Sequence, residues 1–135
     1  MDAIHPGLSA EVTATVTPDR TARHLGSGGI DVYATPAMIS LMESAAVKAI
    51  DPLLPEGQAS VGVSVEVRHL AATPLGQAVR ARAEVTGVEG RRVFFTVQAW
   101  DEAGLIGEGT HTRFVIDTAR FLQRLAERQG GTASS

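Results

Sequence analysis

The chain has no cysteine, which removes disulfide frameworks, thiolate zinc sites and cysteine nucleophiles together. No apolar run reaches the length a bilayer crossing requires, and the opening MDAIHPGLSA lacks the basic and apolar blocks of an export signal. Positive charge is also scarce. With 12 Lys and Arg against 15 Asp and Glu the net charge is -3, and no clustered basic face is present for a phosphate backbone. These absences predict a soluble, cytoplasmic protein with neither nucleic acid nor membrane as partner. A chain of 135 residues is long enough to bury a core unaided. Without an internal repeat to divide it, residues 1–129 read as one domain and 130–135, ending in GTASS, as a disordered tail.

What is present reads as alternating strand patterns around one helix. Ser9–Val16 alternates with β-branched residues on both parities, which suits a strand near a sheet edge. Thr17–Ala34 holds Pro18, Gly26, Gly28 and Gly29 with little apolar periodicity, and is expected to be a long loop. Thr35-Pro36 has the grammar of a capping hydroxyl followed by proline at the first helical position. The helix then runs over Pro36–Ile50, with Ala37, Met38, Leu41, Ala45 and Ile50 inward and small residues for close sheet packing. Asp51-Pro52 ends it. Four strand-like runs follow, Ser60–His69, Gln77–Val88, Arg91–Asp101 and Leu105–Ile116, and the short joints EG and DEAG between the last three imply antiparallel hairpins. Asp117–Arg128 reads as a closing amphipathic helix with Phe121, Leu122 and Leu125 inward. The order β-α-β-β-β-β defines an α+β domain: a five-stranded antiparallel sheet whose apolar face is covered by the long helix, with an extra C-terminal helix.

A few polar residues stand out against this pattern. His69 falls on the parity of Val61, Val63, Val65 and Val67, so a core histidine is one reading and a catalytic one the other. Glu43 lies in an apolar helix with little surface on which to expose it. Arg113 suits either a ligand or a strand neighbour. His24 and His111 have no companions at metal-ligand spacing and read as surface or structural residues, so no metal is expected.

Three segments, RHL at 23–25, TPAMISLMESAAVKAIDPLLPEGQASVG at 35–62 and VRHLAATPLG at 67–76, continue through VEGRRVFF and IGEGTHTRFVI. Together they resemble the fluoroacetyl-CoA thioesterase group of the hotdog superfamily, from about Val12 to Phe121. The resemblance implies a hotdog fold, a long central helix wrapped by the sheet, and an acyl-CoA thioesterase without cofactor. It further implies a catalytic set of Thr35, Glu43 and His69. Glu43 would attack the acyl carbon or act as the base for water, His69 would shuttle the proton, and Thr35 would assist by hydrogen bonding. Gly62 matches a glycine near the acyl group, and Arg113 an arginine that would meet a CoA phosphate or carbonyl.

Two consequences follow from the resemblance. On one straight helix Thr35 and Glu43 stand ~12 Å apart along the axis, so either Thr35 sits on a loop that folds back or the site takes residues from two chains. Hotdog proteins pair their sheets edge to edge, and a homodimer or higher assembly with composite sites is expected. In the family's fluoroacetate enzyme the loop after RHL is longer and carries an aromatic lid. Here it is GSGGIDVYA, with Tyr33 its one aromatic residue, so the aromatic gate does not carry over, selectivity for fluorine is not implied, and a short or small acyl thioester is the expected substrate. A non-catalytic hotdog module binding acyl-CoA or another small ligand is the second reading. Enoyl-CoA hydration ranks last, because the aspartate and histidine pair it calls for is absent.

Overall fold

Short joints dictate the pairing of the strands. The computed structural model describes residues 1–130 and contains β1 (Ser9–Thr15), β2 (Gln58–His69), β3 (Ala78–Glu89), β4 (Arg92–Asp101) and β5 (Gly104–Asp117). All neighbours are antiparallel, in the order β1-β3-β4-β5-β2, which puts β1 and β2 at the two edges. Gly90, at φ +62°, turns β3 into β4. At the next joint the Asp101 carboxylate accepts the N–H groups of Ala103 and Gly104, at 2.8 and 3.2 Å.

The helices are α1 (Ala22–Leu25), α2 (Thr35–Ile50) and α3 (Thr118–Arg128). In α2 the buried residues are Met38, Met42, Ala45, Ala46, Ala49 and Ile50, one stripe at helical spacing. Ala37 and Leu41, expected inward, are only half-buried. The stripe packs chiefly across β1 and β3. Every second residue of β3 and β4 is buried, from Val79 to Val85 and from Val93 to Ala99, so a period-two surface meets a helical one. Alanines occur on both sides, and this lets the helix backbone approach the sheet closely.

Three expectations are corrected. Thr17–Ala34 is not all loop: Pro18–Arg20 forms a 3-10 turn, and Thr21 caps the short α1 by accepting the His24 N–H at 3.3 Å. In β2 a bulge between Gly62 and Ser64 breaks the valine parity, and Val63 and Val65 are 50% and 39% exposed, because β2 is an edge strand. In α3, capped by Asp117, Phe121, Leu122 and Leu125 are 40%, 55% and 45% exposed rather than inward. The inner face of the sheet is already filled by α2, so α3 finds no core to enter. Gly130 closes a turn after α3 by bonding Glu127, and the remainder of the expected tail lies outside the described residues.

The β2–β5 pair depends on Gly109. A Cβ there would overlap the Glu66 carbonyl and lie 2.6 Å from Val67 Cα. Gly109→Ala is expected to lower the unfolding free energy by about 3 kcal/mol or more, and Met42→Ala by about 2–5 kcal/mol, both measured by urea denaturation.

Candidate active site

Thr35 is the first residue of α2, but it does not cap the helix. Ala34 holds the cap position, with no side-chain hydrogen bond. The Thr35 hydroxyl bonds His69 Nδ1 instead, at 2.8 Å. His69 ends β2, where the following turn is fastened to the sheet: Leu70 and Ala71 both donate to the Ile106 carbonyl, at 2.7 and 3.3 Å. Thr73, fully buried, donates to Asp101 at 2.7 Å. This turn is joined to the glycine loop by the Tyr33 N–H on the Thr73 carbonyl, at 2.8 Å, and by the Val32–Pro74 bridge. The HLAATPLG motif is thus the support that holds the histidine against the threonine.

A cavity of about 390 Å³ opens beside this pair, lined by Gly28, Gly29, Ile30 and Val32 of the loop and by Leu70, Ala71 and Ala72 of the turn. Tyr33 is 2% exposed and meets the His69 ring edge-on, with centroids 6.4 Å apart. It is a wall of the cavity rather than a lid, and Ile30, 67% exposed, is the bulky residue at the rim. His69 Nε2 is buried without a hydrogen-bond partner. Burial pushes the His69 imidazole below its usual range, with the Ala71 backbone acting the other way.

Glu43 occupies a separate site two helical turns along α2. Its carboxylate lies 3.4 Å from Arg113 Nη1 and 4.0 Å from His111 Nε2. A Cβ at Gly62 would come within 2.8 Å of Glu43 Oε2, so a side chain at 62 would oblige the carboxylate to move from this position. Glu43 opens onto a hollow of about 330 Å³ along Gly62–Val65, beside the free edge of β2. His111, 2% exposed, stacks on Phe95 at 5.9 Å and donates from Nδ1 to the Ser64 carbonyl at 2.8 Å. Burial lowers its pKa, aided by Arg113 and opposed by the Ser64 carbonyl and Glu43. Arg113, 6% exposed, donates from Nε and Nη2 to Ser60 Oγ and O, at 2.7 and 3.0 Å. It pairs across the strands instead of pointing into solvent.

Within one chain the structure therefore brings Thr35 to His69, and Glu43 to Gly62 and Arg113, but does not bring the two groups together. Thr35 belongs to the helix proper, so it does not fold back toward Glu43. Asp51, Ser60 and His111 join the Glu43 group although the sequence does not mark them as such. The alternation of His111 and Arg113 on one strand face is the one local signal for any of them. Among the described residues no three metal-ligating side chains converge, and no helix is long and apolar enough to cross a membrane.

A long helix against a five-stranded antiparallel sheet, with a further C-terminal helix, is the architecture of the hotdog thioesterases. A thioesterase superfamily member from Thermus thermophilus superposes with a TM-score of 0.86 at 38% identity, covering 96% of this chain and 98% of that one. The FlK fluoroacetyl-CoA thioesterase structure gives a TM-score of 0.87 at 38% identity, covering 93% and 98%. The fluoroacetyl-CoA thioesterase of Streptantibioticus cattleyicolor is 40% identical over 119 residues, 84% of this chain and 86% of that protein. The family description "Fluoroacetyl-CoA-specific thioesterase" (FlK) matches residues 16–119. The chain belongs to this family and is a thioester hydrolase.

Gly62→Ala is expected to displace Glu43 and cut thioester hydrolysis by about a hundredfold while circular dichroism remains native. A second expectation concerns pH. Folding disfavours protonation of both His69 and His111, so the unfolded chain takes up protons first, near the ordinary histidine value of about 6.5. Their contribution to stability is present above that value and is lost as pH falls through it toward the folded values. The urea midpoint is expected to drop between pH 7.5 and 5, and His111→Asn to drop less steeply, whatever its stability at pH 7.5.

Proposed function

We propose that the protein is a cytoplasmic homodimeric acyl-CoA thioesterase acting on a short or small acyl group, with Thr35, Glu43 and His69 as its catalytic set. The observation that carries this reading is the division of the set into two groups that both border β2, an edge strand with one side unpaired. Antiparallel pairing of β2 with a second copy, centred between Val65 and Glu66, sets His69 of one chain opposite Gly62 of the other. Two equivalent sites then form, each combining Thr35 and His69 from one chain with Glu43 and Gly62 from its partner.

The chemistry follows from the two environments. The acyl group enters the cavity between the glycine loop and the 70–76 turn, and its carbonyl carbon faces Glu43. In one route the Glu43 carboxylate attacks that carbon, the C–S bond breaks, and the thiolate leaves with the electron pair. Water then hydrolyses the resulting anhydride. In the other route Glu43 takes a proton from water as its oxygen attacks the carbonyl carbon, and the tetrahedral intermediate then expels the thiolate with the C–S electron pair. His69, held toward its neutral form, enters as a base and passes the proton on to the sulfur. Thr35 fixes the ring through Nδ1, and the Gly62 backbone faces the acyl group. A CoA thioester fits the family: an FlK variant has been crystallised with fluoroacetate and CoA. The rim contributes Ile30 and glycines in place of aromatic residues, so we read the substrate as a short acyl group without fluorine selectivity.

A panel of acyl-CoAs assayed for thiol release is expected to show turnover that Glu43→Ala and His69→Ala each reduce by at least about a hundredfold. Mixing these two inactive variants is expected to restore part of the activity, because a mixed dimer retains one intact composite site. Absence of recovery, with subunit exchange demonstrated by mass, would count against the shared site.

A further inference from the structure

We infer that Arg113 is the positioning residue for Glu43, and that Asp51, acting through Ser60, aims the guanidinium. The inference rests on the reading of Glu43 as the catalytic carboxylate and assigns the group that orients it.

Arg113 is a cation at 6% exposure, and an unpaired charge at that depth is strongly disfavoured. Its counter-charges are Asp51 and Glu43. Asp51 does not touch it directly. The Asp51 carboxylate accepts the Ser60 hydroxyl at 2.5 Å and the Ser60 N–H at 3.2 Å. With its proton committed to Asp51, Ser60 Oγ presents a lone pair to Arg113 Nε at 2.7 Å, and the Ser60 carbonyl takes Nη2 at 3.0 Å. Two bonds from a planar fork to one residue fix the plane and direction of the guanidinium. Nη1 is left aimed at Glu43 Oε2, 3.4 Å away, and at His111 Nε2, 3.1 Å away.

His111 closes the arrangement. Its Nδ1–H is spent on the Ser64 carbonyl, so in the neutral ring Nε2 carries a lone pair and accepts from Arg113. Among the described residues Arg113 and His111 are the charged or titratable side chains within 4.0 Å of the Glu43 carboxylate, and only Arg113 donates to it. Lys48 borders a hollow with Glu43 and Arg113 but gives its ammonium to the Glu11 carbonyl. The carboxylate is 41% exposed. Without the fork it has no fixed partner in its own chain. A residue so enclosed is badly placed for a CoA phosphate, and the same enclosure suits it to holding another side chain still. A lysine, with one ammonium group, cannot clamp Ser60 at two points and reach Glu43 as well.

The test compares Arg113→Gln, Arg113→Lys, Ser60→Ala and the double variant Ser60→Ala/Arg113→Gln with Glu43→Ala, all assayed by thiol release from a short acyl-CoA. Arg113→Gln and Arg113→Lys are expected to lower kcat by about a hundredfold with KM within about threefold, the signature of lost transition-state alignment. Ser60→Ala, which leaves Arg113 in place, is expected to lower kcat by about tenfold. The double variant is expected to be no worse than Arg113→Gln, because both act on one group. A raised KM with unchanged kcat would make Arg113 a substrate ligand and overturn the inference, as would losses that multiply in the double variant. If Arg113→Gln fails to fold, the kcat of Ser60→Ala decides: wild-type turnover there overturns the inference. An inactive Glu43→Ala beside fully active Arg113 and Ser60 variants sinks the inference alone. Full turnover in Glu43→Ala removes the reading of Glu43 and the inference with it.

Discussion

The close seating of α2 on the sheet is the constraint on which everything else depends. It is possible because the buried stripe of the helix includes Ala45, Ala46 and Ala49, and β3 and β4 answer with Ala81, Ala83 and Ala99. Methyl groups on both surfaces bring two backbones near each other, while Met38 and Met42 fill the space that remains. The rigid helix then carries Thr35 at its first turn and Glu43 two turns later, at a spacing that side-chain motion does not change. Bulkier residues at the alanine positions would lift the helix and move both groups away from the strands they face.

Two kinds of environment are built on that one helix. Around Thr35 the partners are uncharged: a hydroxyl, an imidazole held toward neutrality by burial, a tyrosine edge and a glycine loop. Around Glu43 they are ionic: a buried guanidinium, an aspartate behind a serine, and a second imidazole whose tautomer is set by the Ser64 carbonyl. Proton transfer needs a group that changes charge readily, and nucleophilic or base chemistry by a carboxylate needs one that stays charged in a fixed direction.

Local pattern revealed most of the fold, because short joints and period-two alternation are local facts. The three hairpin strands, the edge position of β1 and the extent of α2 to Ile50 could all be read this way. What escaped was decided by tertiary contact. Thr35 looked like a cap because its hydroxyl stands before a proline, and only the approach of His69, 34 residues later, redirects it. The valine parity of β2 concealed a bulge at Val63. The apolar stripe of α3 implied burial, but occupancy of the inner sheet face by α2 is not visible from residue 121. For the candidate site, the resemblance to a known family singled out Thr35, Glu43, His69, Gly62 and Arg113, and the fold gathers them as two groups, Thr35 with His69 and Glu43 with Gly62 and Arg113. Asp51 and Ser60 were not singled out, since their role appears only when residues 51, 60 and 113 meet.

The unpaired side of β2 has a meaning apart from any site. Twelve residues of edge strand, with Val63 and Val65 exposed and no proline among them, form a row of open hydrogen-bonding groups that another extended segment can occupy. Protection against misassembly rests on few devices here: the bulge at Val63, which interrupts the register, and the charges of Glu66 and Arg68 near the end of the strand.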